Sequence, residues 1–535
     1  MYGSKIDIFI FGLKDDDTNA ILSIIFDDYP IIKIIFLALF FGVFAFWLNI
    51  KIMHLKFKAI KLNKYLFVVL NLFLIYAYII ALRGHFTYNA LRASSYEFSI
   101  IKAFNEISTN PLMALSWAYK EYRGQQHFKS VDLAELKDFE KELFTMFDST
   151  YKNANHAKNH IYLNILESFG LNMLEFSNEK HNLLGRLDRH FKEDFVFKRF
   201  LSSANNTIES LNRLVFLSPN IISNGLMQKK ILKYTPLQVY KNAGYDIVFV
   251  YSGNASWYNL GNYFRYQGAD LIIDENTLMS EFSEVRATKH KYGIADEFMY
   301  KKIYSIFKNA TKPTLVISLS ISTHRPYVHE SKEKLFDENL VEKEILDQFI
   351  IKNPKNALKT YAYANDEFGK FLDLVKGSDF KENIIIAATG DHRFRDIKMD
   401  LNHEKAFAYS VPFYLYVPKK LQDNIYYDKN RIGSHKDIFP TLYNLTLSEV
   451  EYLSLGGKSM LLKPENKRLE FGFNEMVWMD ENGVYSNDKG YYFENNSTIK
   501  DTNKAFELDI YHKDFAKLYK EFNLYQLAYR LGIAK

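Results

Sequence analysis

The stretch Asn159–Gly170, NHIYLNILESFG, decides how the larger part of this sequence is interpreted. Its apolar and β-branched residues predict a buried strand, and the run ends abruptly in Glu167 and Ser168. A buried carboxylate is costly unless a cation compensates its charge. We therefore expect that Glu167 either points into water or meets a cation held by other parts of the chain.

Four more short apolar runs follow, and segments with helical spacing of apolar residues separate them. The runs are DIVFVYSG (246–253), TLVISLSI (314–321), NIIIAATG (383–390) and VPFYLYVP (411–418). Near-continuous apolar strands that alternate with helices are typical of a sheet covered on both faces. The sequence therefore predicts an α/β fold with a mixed, mostly parallel sheet and helices on both faces.

Polar residues follow several of these strands at the point where each strand ends. Thr323 and His324 follow the second run, Asp391 and His392 follow the third, and Trp257 follows the first. Ligands bind beyond the carboxyl ends of parallel strands, so polar residues there count for more than polar residues elsewhere.

Each of these residues also has a purely structural interpretation. Glu167 could lie near the N-terminus of the next helix, and Asp391 with His392 could form a turn. A lone His324 is more often a hydrogen-bonded structural histidine than a ligand, and Trp257 could belong to the core. Their convergence on one sheet edge favours a functional site.

Two acids and one imidazole form a hard, oxygen-rich donor set. Glu167, Asp391 and His392 would suit one divalent cation such as Mn²⁺, Mg²⁺ or Zn²⁺. Three protein ligands leave a coordination position open for a nucleophile or a substrate oxygen. Such a cation would also compensate the charge of Glu167.

The segment FLSSANNTIESLNRL (200–214) offers candidate nucleophiles in Ser202, Ser203 and Thr207. Thr207 stands where a helix is predicted to begin, and helix N-termini favour an incoming phosphate. Thr207 could equally be an N-cap residue without a chemical role. The residues alone leave the choice between Thr207 and Ser203 open.

The N-terminal part has a different character. Residues 34–50 and 65–82 are uncharged apolar runs of 17 and 18 residues, close to the length that spans a bilayer. Five lysines lie within residues 51–64, whereas residues 15–28 contain five aspartates. Positive loops stay in the cytoplasm. We predict a transmembrane hairpin with both ends outside; the alternative is a pair of buried core helices.

These patterns predict five regions along the chain. We expect an extracytoplasmic segment at 1–30, the transmembrane hairpin at 31–83, a helical linker on the membrane surface at 84–155, a catalytic domain at 156–465, and a C-terminal segment with strands and a terminal helix at 466–535.

Composition excludes several classes of protein. The 535 residues contain no cysteine, so disulfides, thiolate metal sites and cysteine nucleophiles are excluded. A net charge of +5 is small for this length, and we expect no nucleic-acid partner. Two short spans alone cannot enclose a transport path.

The motifs in their order resemble one known group. Strand-Glu-Ser-Phe, Asn-Asn-Thr before a helix, Thr-His-x-Pro-Tyr and Gly-Asp-His are similar to motifs of the lipoteichoic acid synthases. These are membrane phosphoglycerol transferases of the alkaline phosphatase and sulfatase superfamily. The resemblance covers residues 155–450, and GSHKDIFPTLYNL (433–445) resembles a late segment of the superfamily.

The resemblance implies a role for each matching residue. It implies Thr207 as the nucleophile, His324 and Trp257 in the substrate pocket, and one divalent ion, Mn²⁺ before Mg²⁺ or Zn²⁺. The implied metal ligands are Glu167, Thr207, Asp391 and His392. One position departs from the family: where an arginine commonly follows the tryptophan by two residues, this chain has Asn259, and the nearest arginine is Arg265.

The implied activity is transfer of a phosphoglycerol headgroup from a membrane phospholipid, through a phospho-threonine, to a glycan or lipid acceptor of the cell envelope. The enzyme would lie in the cytoplasmic membrane as a multi-pass protein, with its catalytic domain outside. Phosphoethanolamine transfer is the first alternative, and hydrolysis of a sulfate or phosphate ester is the second. True sulfatases carry a Cys/Ser-x-Pro-x-Arg signature, which SSANNTIES lacks. A catalytically silent, membrane-anchored binding module is the last alternative.

Overall fold

The computed structural model describes residues 31–54, 63–83, 110–125, 133–152, 158–219, 230–328, 334–486 and 489–532. The chain divides into two compact units, Met1–His127 and Phe128–Lys535. The predicted extracytoplasmic segment 1–30, residues 55–62 of the lysine-rich loop and residues 84–109 of the predicted linker lie outside the described residues.

The first unit is helical wherever it is described. Its helices are α1 (Ile31–Met53), α2 (Lys64–Arg83) and α3 (Pro111–Gln125). Both predicted apolar runs are therefore helices, and most of their described side chains are exposed instead of packed in a core. By length and composition, α1 can cross a bilayer over Ile35–Met53, with a mean hydropathy of 2.1, whereas the apolar part of α2 is shorter.

The second unit contains the remaining helices and all the strands among the described residues. The helices are α4 (Leu133–Glu142), α5 (Leu171–Leu174), α6 (Leu187–Glu193), α7 (Thr207–Val215), α8 (Pro236–Asn242), α9 (Leu260–Tyr266), α10 (Glu275–Glu281), α11 (Asp296–Asn309), α12 (Lys343–Leu346), α13 (Pro354–Lys376), α14 (Ile438–Thr446) and α15 (Ile510–Arg530). The strands are β1 (Phe147–Ser149), β2 (His160–Leu166), β3 (Phe195–Phe197), β4 (Phe200–Leu201), β5 (Asp246–Tyr251), β6 (Leu271–Ile273), β7 (Thr314–Leu319), β8 (Ile384–Gly390), β9 (Phe413–Tyr416), β10 (Gly433–Ser434), β11 (Glu451–Leu453), β12 (Gly472–Phe473), β13 (Trp478–Met479), β14 (Val484–Ser486), β15 (Lys489–Phe493) and β16 (Asp501–Phe506).

A seven-stranded sheet organises this unit, in the order β3-β9-β8-β2-β7-β5-β6. The five strands from β8 to β6 are parallel, and β9 pairs antiparallel with both β8 and β3. This arrangement confirms the predicted mixed, mostly parallel sheet. The strands β8, β2, β7 and β5 are neighbours, so their carboxyl ends meet along one edge.

Apolar side chains leave the sheet on both faces, as the alternation of a strand requires. Ile161, Leu163 and Ile165 of β2 pack into one cluster with α7, α8, α9 and α14. Tyr162 and Leu166 of the same strand pack into the other cluster, with α6, α11 and α13. Each face is therefore covered, which explains why the strands are apolar throughout.

A smaller antiparallel sheet, β12-β13-β14-β15-β16, and α15 form the C-terminal part. Trp478 is buried there, and its ring lies 4.0 Å from Tyr485 and 4.2 Å from Phe515 between centroids. Within the predicted linker, β1 pairs antiparallel with β11, and α4 packs against α15. Residues 133–149 therefore belong to the second unit, whereas the functional boundaries at 155 and 465 stay predictions.

Candidate metal centre and nucleophile

The ends of β2 and β8 bring two acids together. Leu166 and Gly390 are paired in register, so Glu167 and Asp391 follow side by side. The Ser168 N–H donates to Asp391 Oδ1 at 2.8 Å, and the Asp391 N–H donates to the Leu166 carbonyl at 3.0 Å. A Cβ on Gly390 would lie 2.2 Å from the Phe169 carbonyl oxygen, so this close approach requires glycine.

His392 completes the cluster. One ligand atom from each of Glu167, Asp391 and His392 lies within 4.8 Å of the others, and all three residues are buried. The Nδ1–H of His392 donates to the Arg393 carbonyl at 2.8 Å, because a carbonyl can only accept. Its Nε2 therefore carries the lone pair, 3.4 Å from Asp391 Oδ2 and 3.8 Å from Glu167 Oε1.

The electrostatics of this cluster fit a bound cation. Asp391 Oδ2 is buried and has no hydrogen-bond partner among the described residues. Burial and the neighbouring charge of Glu167 raise the pKa of Asp391 to about 7. Burial also acts to raise the pKa of Glu167, but His392 and His324 outweigh it and lower that pKa. Two adjacent buried carboxylates and a free imidazole nitrogen form a donor set for a divalent metal.

Thr207 presents its hydroxyl to the same cluster. It is the first residue of α7, and the preceding Asn206 is the N-cap, whose side chain accepts from the Glu209 N–H at 3.0 Å. The Thr207 hydroxyl is therefore not needed for capping. It donates to Glu167 Oε2 at 3.1 Å and lies 3.5 Å from His392 Nε2.

The other two hydroxyls of this segment have different partners. Ser203 Oγ lies 3.2 Å from His435 Nδ1, and Ser202 donates to the Ala204 carbonyl at 2.9 Å. Thr207 is thus the one hydroxyl of the three that contacts the acid cluster. This contact keeps Thr207 as the candidate nucleophile, and the role itself stays a prediction.

His324 lies beside the cluster on the loop after β7. The neighbouring Thr323 hydroxyl donates to the Glu167 carbonyl. The Nδ1–H of His324 donates to the Arg325 carbonyl at 2.9 Å. The ring of Tyr292 lies 4.1 Å from the His324 ring between centroids. His324 is half-buried, so its free Nε2 is available to a ligand.

Trp257 lies farther from the acids. Its ring is half-buried and packs 5.0 Å from Tyr258 and 6.4 Å from Tyr251 between centroids. Burial, followed by the charges of Glu167 and other acids, raises the pKa of Tyr251. Tyr251 thus contacts Trp257 and also lies within reach of the charge of Glu167. Asn259 has a left-handed backbone with φ 54°, and its side chain accepts from Asn262.

Three residues that the sequence did not single out support the site. Asp296 is buried and accepts from the N–H groups of Ile321 and Ser322 at 2.9 and 3.0 Å, which fixes the loop that leads to His324. Tyr292 packs on His324. Burial lowers the pKa of His435 to about 4, so this neutral ring donates through Nε2 to the Gly390 carbonyl at 2.9 Å. Only His435 lay in a motif, GSHKDIFP; the other two carried no signal.

Solved structures share this fold. A protein in the alkaline phosphatase superfamily from Vibrio parahaemolyticus is 19% identical, with a TM-score of 0.54, and the match covers 74% of this chain and 94% of that one. The lipoteichoic acid synthase LtaP from Listeria monocytogenes is 16% identical, with a TM-score of 0.53, and the match covers 74% and 98%. No curated protein matches the sequence.

The family assignment follows from the sequence match. The Sulfatase family model matches residues 159–448, which is more than half of the chain and contains every candidate ligand described above. The predicted superfamily is confirmed, and a lipoteichoic acid synthase is among the structures that share the fold. This chain belongs to the sulfatase family.

Proposed function

We propose that this protein is a membrane-anchored, metal-dependent transferase that moves a phospholipid headgroup, phosphoglycerol in the first place, to an acceptor outside the cytoplasm. The observation that carries this proposal is the position of the Thr207 hydroxyl, which donates to Glu167 at the mouth of a buried Glu167–Asp391–His392 cluster. A hydroxyl in that position can act as a nucleophile once a neighbouring metal ion or base activates it.

The residues that would hold the metal are Glu167, Asp391, His392 and Thr207. The unpartnered Asp391 Oδ2 and the lone pair of His392 Nε2 fit this role, and hard oxygen donors with one imidazole favour Mn²⁺, with Mg²⁺ or Zn²⁺ as alternatives. When bound, the ion would lower the pKa of the Thr207 hydroxyl and offset charge on the phosphate oxygens.

The chemistry of the protein groups has two steps. Thr207 Oγ attacks the phosphorus of the donor and forms a P–O bond while the bond to diacylglycerol breaks. The electron pair leaves with the diacylglycerol oxygen, which takes up a proton in balance with the one that the Thr207 hydroxyl releases. An acceptor hydroxyl then attacks the same phosphorus, and the P–O bond to Thr207 breaks, so that Thr207 regains a proton and no water is consumed.

The surroundings of Thr207 stabilise the charge that develops. The N-terminus of α7 directs its first backbone N–H groups and its dipole towards an incoming phosphate. His324 beside the cluster would hold or protonate the phosphate oxygens, and Trp257 would pack against the headgroup. Preorganised donors of this kind provide the larger part of the stabilisation in phosphoryl transfer.

Membrane anchoring belongs to the same proposal. Helix α1 can cross a bilayer, and with α2 it would form a hairpin that keeps the catalytic unit outside the cytoplasm. A tethered enzyme meets its lipid donor at a high effective concentration. The partners would be a phospholipid, a glycan or lipid acceptor of the envelope, and the membrane itself, without nucleic acid.

Transfer is favoured over sulfate-ester hydrolysis by the nucleophile. A formylglycine needs a cysteine or serine precursor, the sequence has no cysteine, and the residue in contact with Glu167 is a threonine. The serines at 202 and 203 are directed elsewhere. The family name thus describes the ancestry of the fold, and the hydroxyl of Thr207 points to transfer through a phosphodiester.

Incubation with headgroup-labelled phosphatidylglycerol tests this proposal. We expect the label on the tryptic peptide that carries Thr207, and Thr207→Ala should abolish it. Ser203→Ala is the matched control, because its hydroxyl contacts His435 instead of Glu167, and it should retain the label. Label that persists in Thr207→Ala would refute the assignment. Label from phosphatidylethanolamine alone would replace the donor and keep the nucleophile.

A further inference from the structure

The segment Lys289–Gly293, KHKYG, is fixed at the edge of the candidate site. The His290 N–H donates to the Gly293 carbonyl at 2.9 Å, and the following Ile294 N–H donates to the Ser252 carbonyl at 2.9 Å. A Cβ on Gly293 would lie 2.5 Å from that carbonyl oxygen and 2.6 Å from Ile321 Cγ2. The segment is therefore held against the loops that follow β5 and β7.

Tyr292 uses this anchorage to orient His324. The two rings lie 4.1 Å apart between centroids at an interplanar angle of 47°, while the His324 Nδ1–H is engaged by the Arg325 carbonyl. Ring contact on one side and a hydrogen bond at one nitrogen define the imidazole plane. Tyr292 is still 40% exposed, so its ring also forms part of the surface that a substrate would meet.

Lys291 adds a positive charge to the same surface. Its ammonium lies 5.3 Å from the centre of the Tyr292 ring, within the range of a cation–π contact. Lys289 in the same segment is already paired with the buried Glu275 at 2.6 Å. Among the described residues, Lys291 has no such carboxylate within 4 Å. It is therefore a cation available to an anionic ligand beside His324.

We propose that Lys289–Gly293 is the donor-recognition segment of this enzyme: Tyr292 is a positioning residue for His324, and Lys291 binds the donor phosphate. This inference rests on the proposed transferase function. Lys291 would supply the positive charge that Asn259 does not offer. An ammonium at this surface attracts the phosphate and repels a headgroup ammonium, so it would select phosphatidylglycerol over phosphatidylethanolamine.

Steady-state transfer by the full-length, metal-loaded protein tests both residues. With phosphatidylglycerol vesicles, Lys291→Ala should raise KM about 10-fold with little change in kcat, because a charge-assisted bond to the bound donor is lost. The preference for phosphatidylglycerol over phosphatidylethanolamine should fall by a similar factor. Lys291→Arg should restore both. Lys308→Ala at the last turn of α11 is the control for an exposed lysine, and it should change neither.

Tyr292 should affect the chemical step instead. Tyr292→Leu should lower kcat about 5-fold, because the ring contact that orients His324 is lost, whereas Tyr292→Phe keeps the ring and should stay within about 2-fold of the wild type. If Tyr292 had a merely structural role, the Leu and Phe variants would lose kcat equally, in proportion to their losses of expression and melting temperature. Equal kcat for Leu and the wild type would overturn the role of Tyr292.

Binding of inorganic phosphate separates this inference from the proposed function. Calorimetry on the full-length protein should show that Lys291→Ala weakens phosphate binding about 10-fold and that Lys308→Ala leaves it unchanged. If Lys291→Ala weakens phosphate binding but the wild type transfers neither headgroup, the transferase function is refuted and Lys291 remains an anion ligand. Intact transfer with unchanged phosphate affinity and donor preference in Lys291→Ala would overturn the inference alone.

Discussion

The acid cluster lies at the same sheet edge as the proposed substrate wall, which consists of Trp257, Tyr292 and His324, but the two differ in construction. Glu167 and Asp391 directly follow strands, His392 comes after Asp391, and Thr207 begins a helix; the acids and the imidazole are buried. The wall is half-exposed and comes from loops between elements. The cluster is thus defined by the regular part of the fold, and the wall by connections that can vary without disturbing the sheet.

The largest expected effect lies in the cluster. Asp391→Asn should reduce transfer by about 1,000-fold or more, because a metal ligand with two hydrogen bonds to backbone N–H groups loses its charge. Titration of the metal-free protein with Mn²⁺ should show weakened binding. Lys308→Ala, far from the cluster in the fold, serves as the control. Full activity of Asp391→Asn would contradict the prediction that the cluster is more sensitive to substitution than the wall.

The same residue should give the metal-free protein a distinctive pH dependence. Because the pKa of Asp391 is raised to about 7 from an ordinary 3.8, the folded state holds a proton that the unfolded state has released between these values. Asp391 should therefore contribute a loss of stability as pH rises from about 4 to 7. Chemical denaturation in EDTA should show a smaller fall for Asp391→Asn than for the wild type. Equal slopes for the two proteins would contradict the buried charge.

The next effect is expected on stability, at Asp296, which fixes the loop that leads to His324. Asp296→Ala should destabilise the protein by about 2–4 kcal/mol, since it leaves the N–H groups of Ile321 and Ser322 buried without an acceptor. Asp296→Asn, which keeps one acceptor oxygen, should lose less. Urea denaturation gives both values. Unchanged stability of the alanine variant would mean that water replaces the carboxylate.

The wall itself should tolerate change. Trp257→Ala should raise KM for the lipid donor about 3- to 10-fold and leave the metal affinity unaltered, because the ring packs against Tyr251 and Tyr258 and is not one of the candidate ligands. Trp257→Phe should recover most of the loss. Steady-state kinetics and Mn²⁺ titration measure the two quantities. A loss of metal affinity in Trp257→Ala would place this ring in the cluster.

The smallest effect concerns the cap of α7. Asn206→Ala should cost about 1 kcal/mol in stability, since the Glu209 N–H loses its acceptor, and Asn206→Ser should cost only part of it. Transfer should fall by a few-fold at most, because Thr207 keeps its contact with Glu167. Thermal denaturation and labelling check this. A complete loss of labelling would show that the cap holds the nucleophile.

The cluster could be predicted from the sequence because each residue stands next to a recognisable run. Glu167 and Asp391 follow apolar strands without an intervening loop, so a parallel sheet places them side by side. Thr207 was harder, since Asn206 and Thr207 are both good helix starters and only the structure shows which one caps. The direction of a strand could not be predicted either, because an apolar run such as VPFYLYVP has the same pattern in a parallel or an antiparallel strand.

The wall could not be predicted in the same way. Tyr292 lies between β6 and β7, in a stretch of helices and turns where no periodicity indicates which residue returns to the sheet edge. Its partner His324 is 32 residues away, and a contact at that separation leaves no trace in local pattern. Likewise, β1 is a three-residue strand whose partner β11 lies about 300 residues later.

The hydrogen bond from the Ser168 N–H to Asp391 has a consequence for how the cluster would accommodate an ion. It joins two turns that are 223 residues apart, and it uses only protein atoms. Backbone N–H groups thus hold the Asp391 carboxylate, and the hydroxyls of Ser168 and Thr207 hold that of Glu167, so neither acid depends on an ion for its position. We expect such a preformed cradle to keep its shape when the ion is removed, so that reloading with a cation requires no reordering of the strand ends.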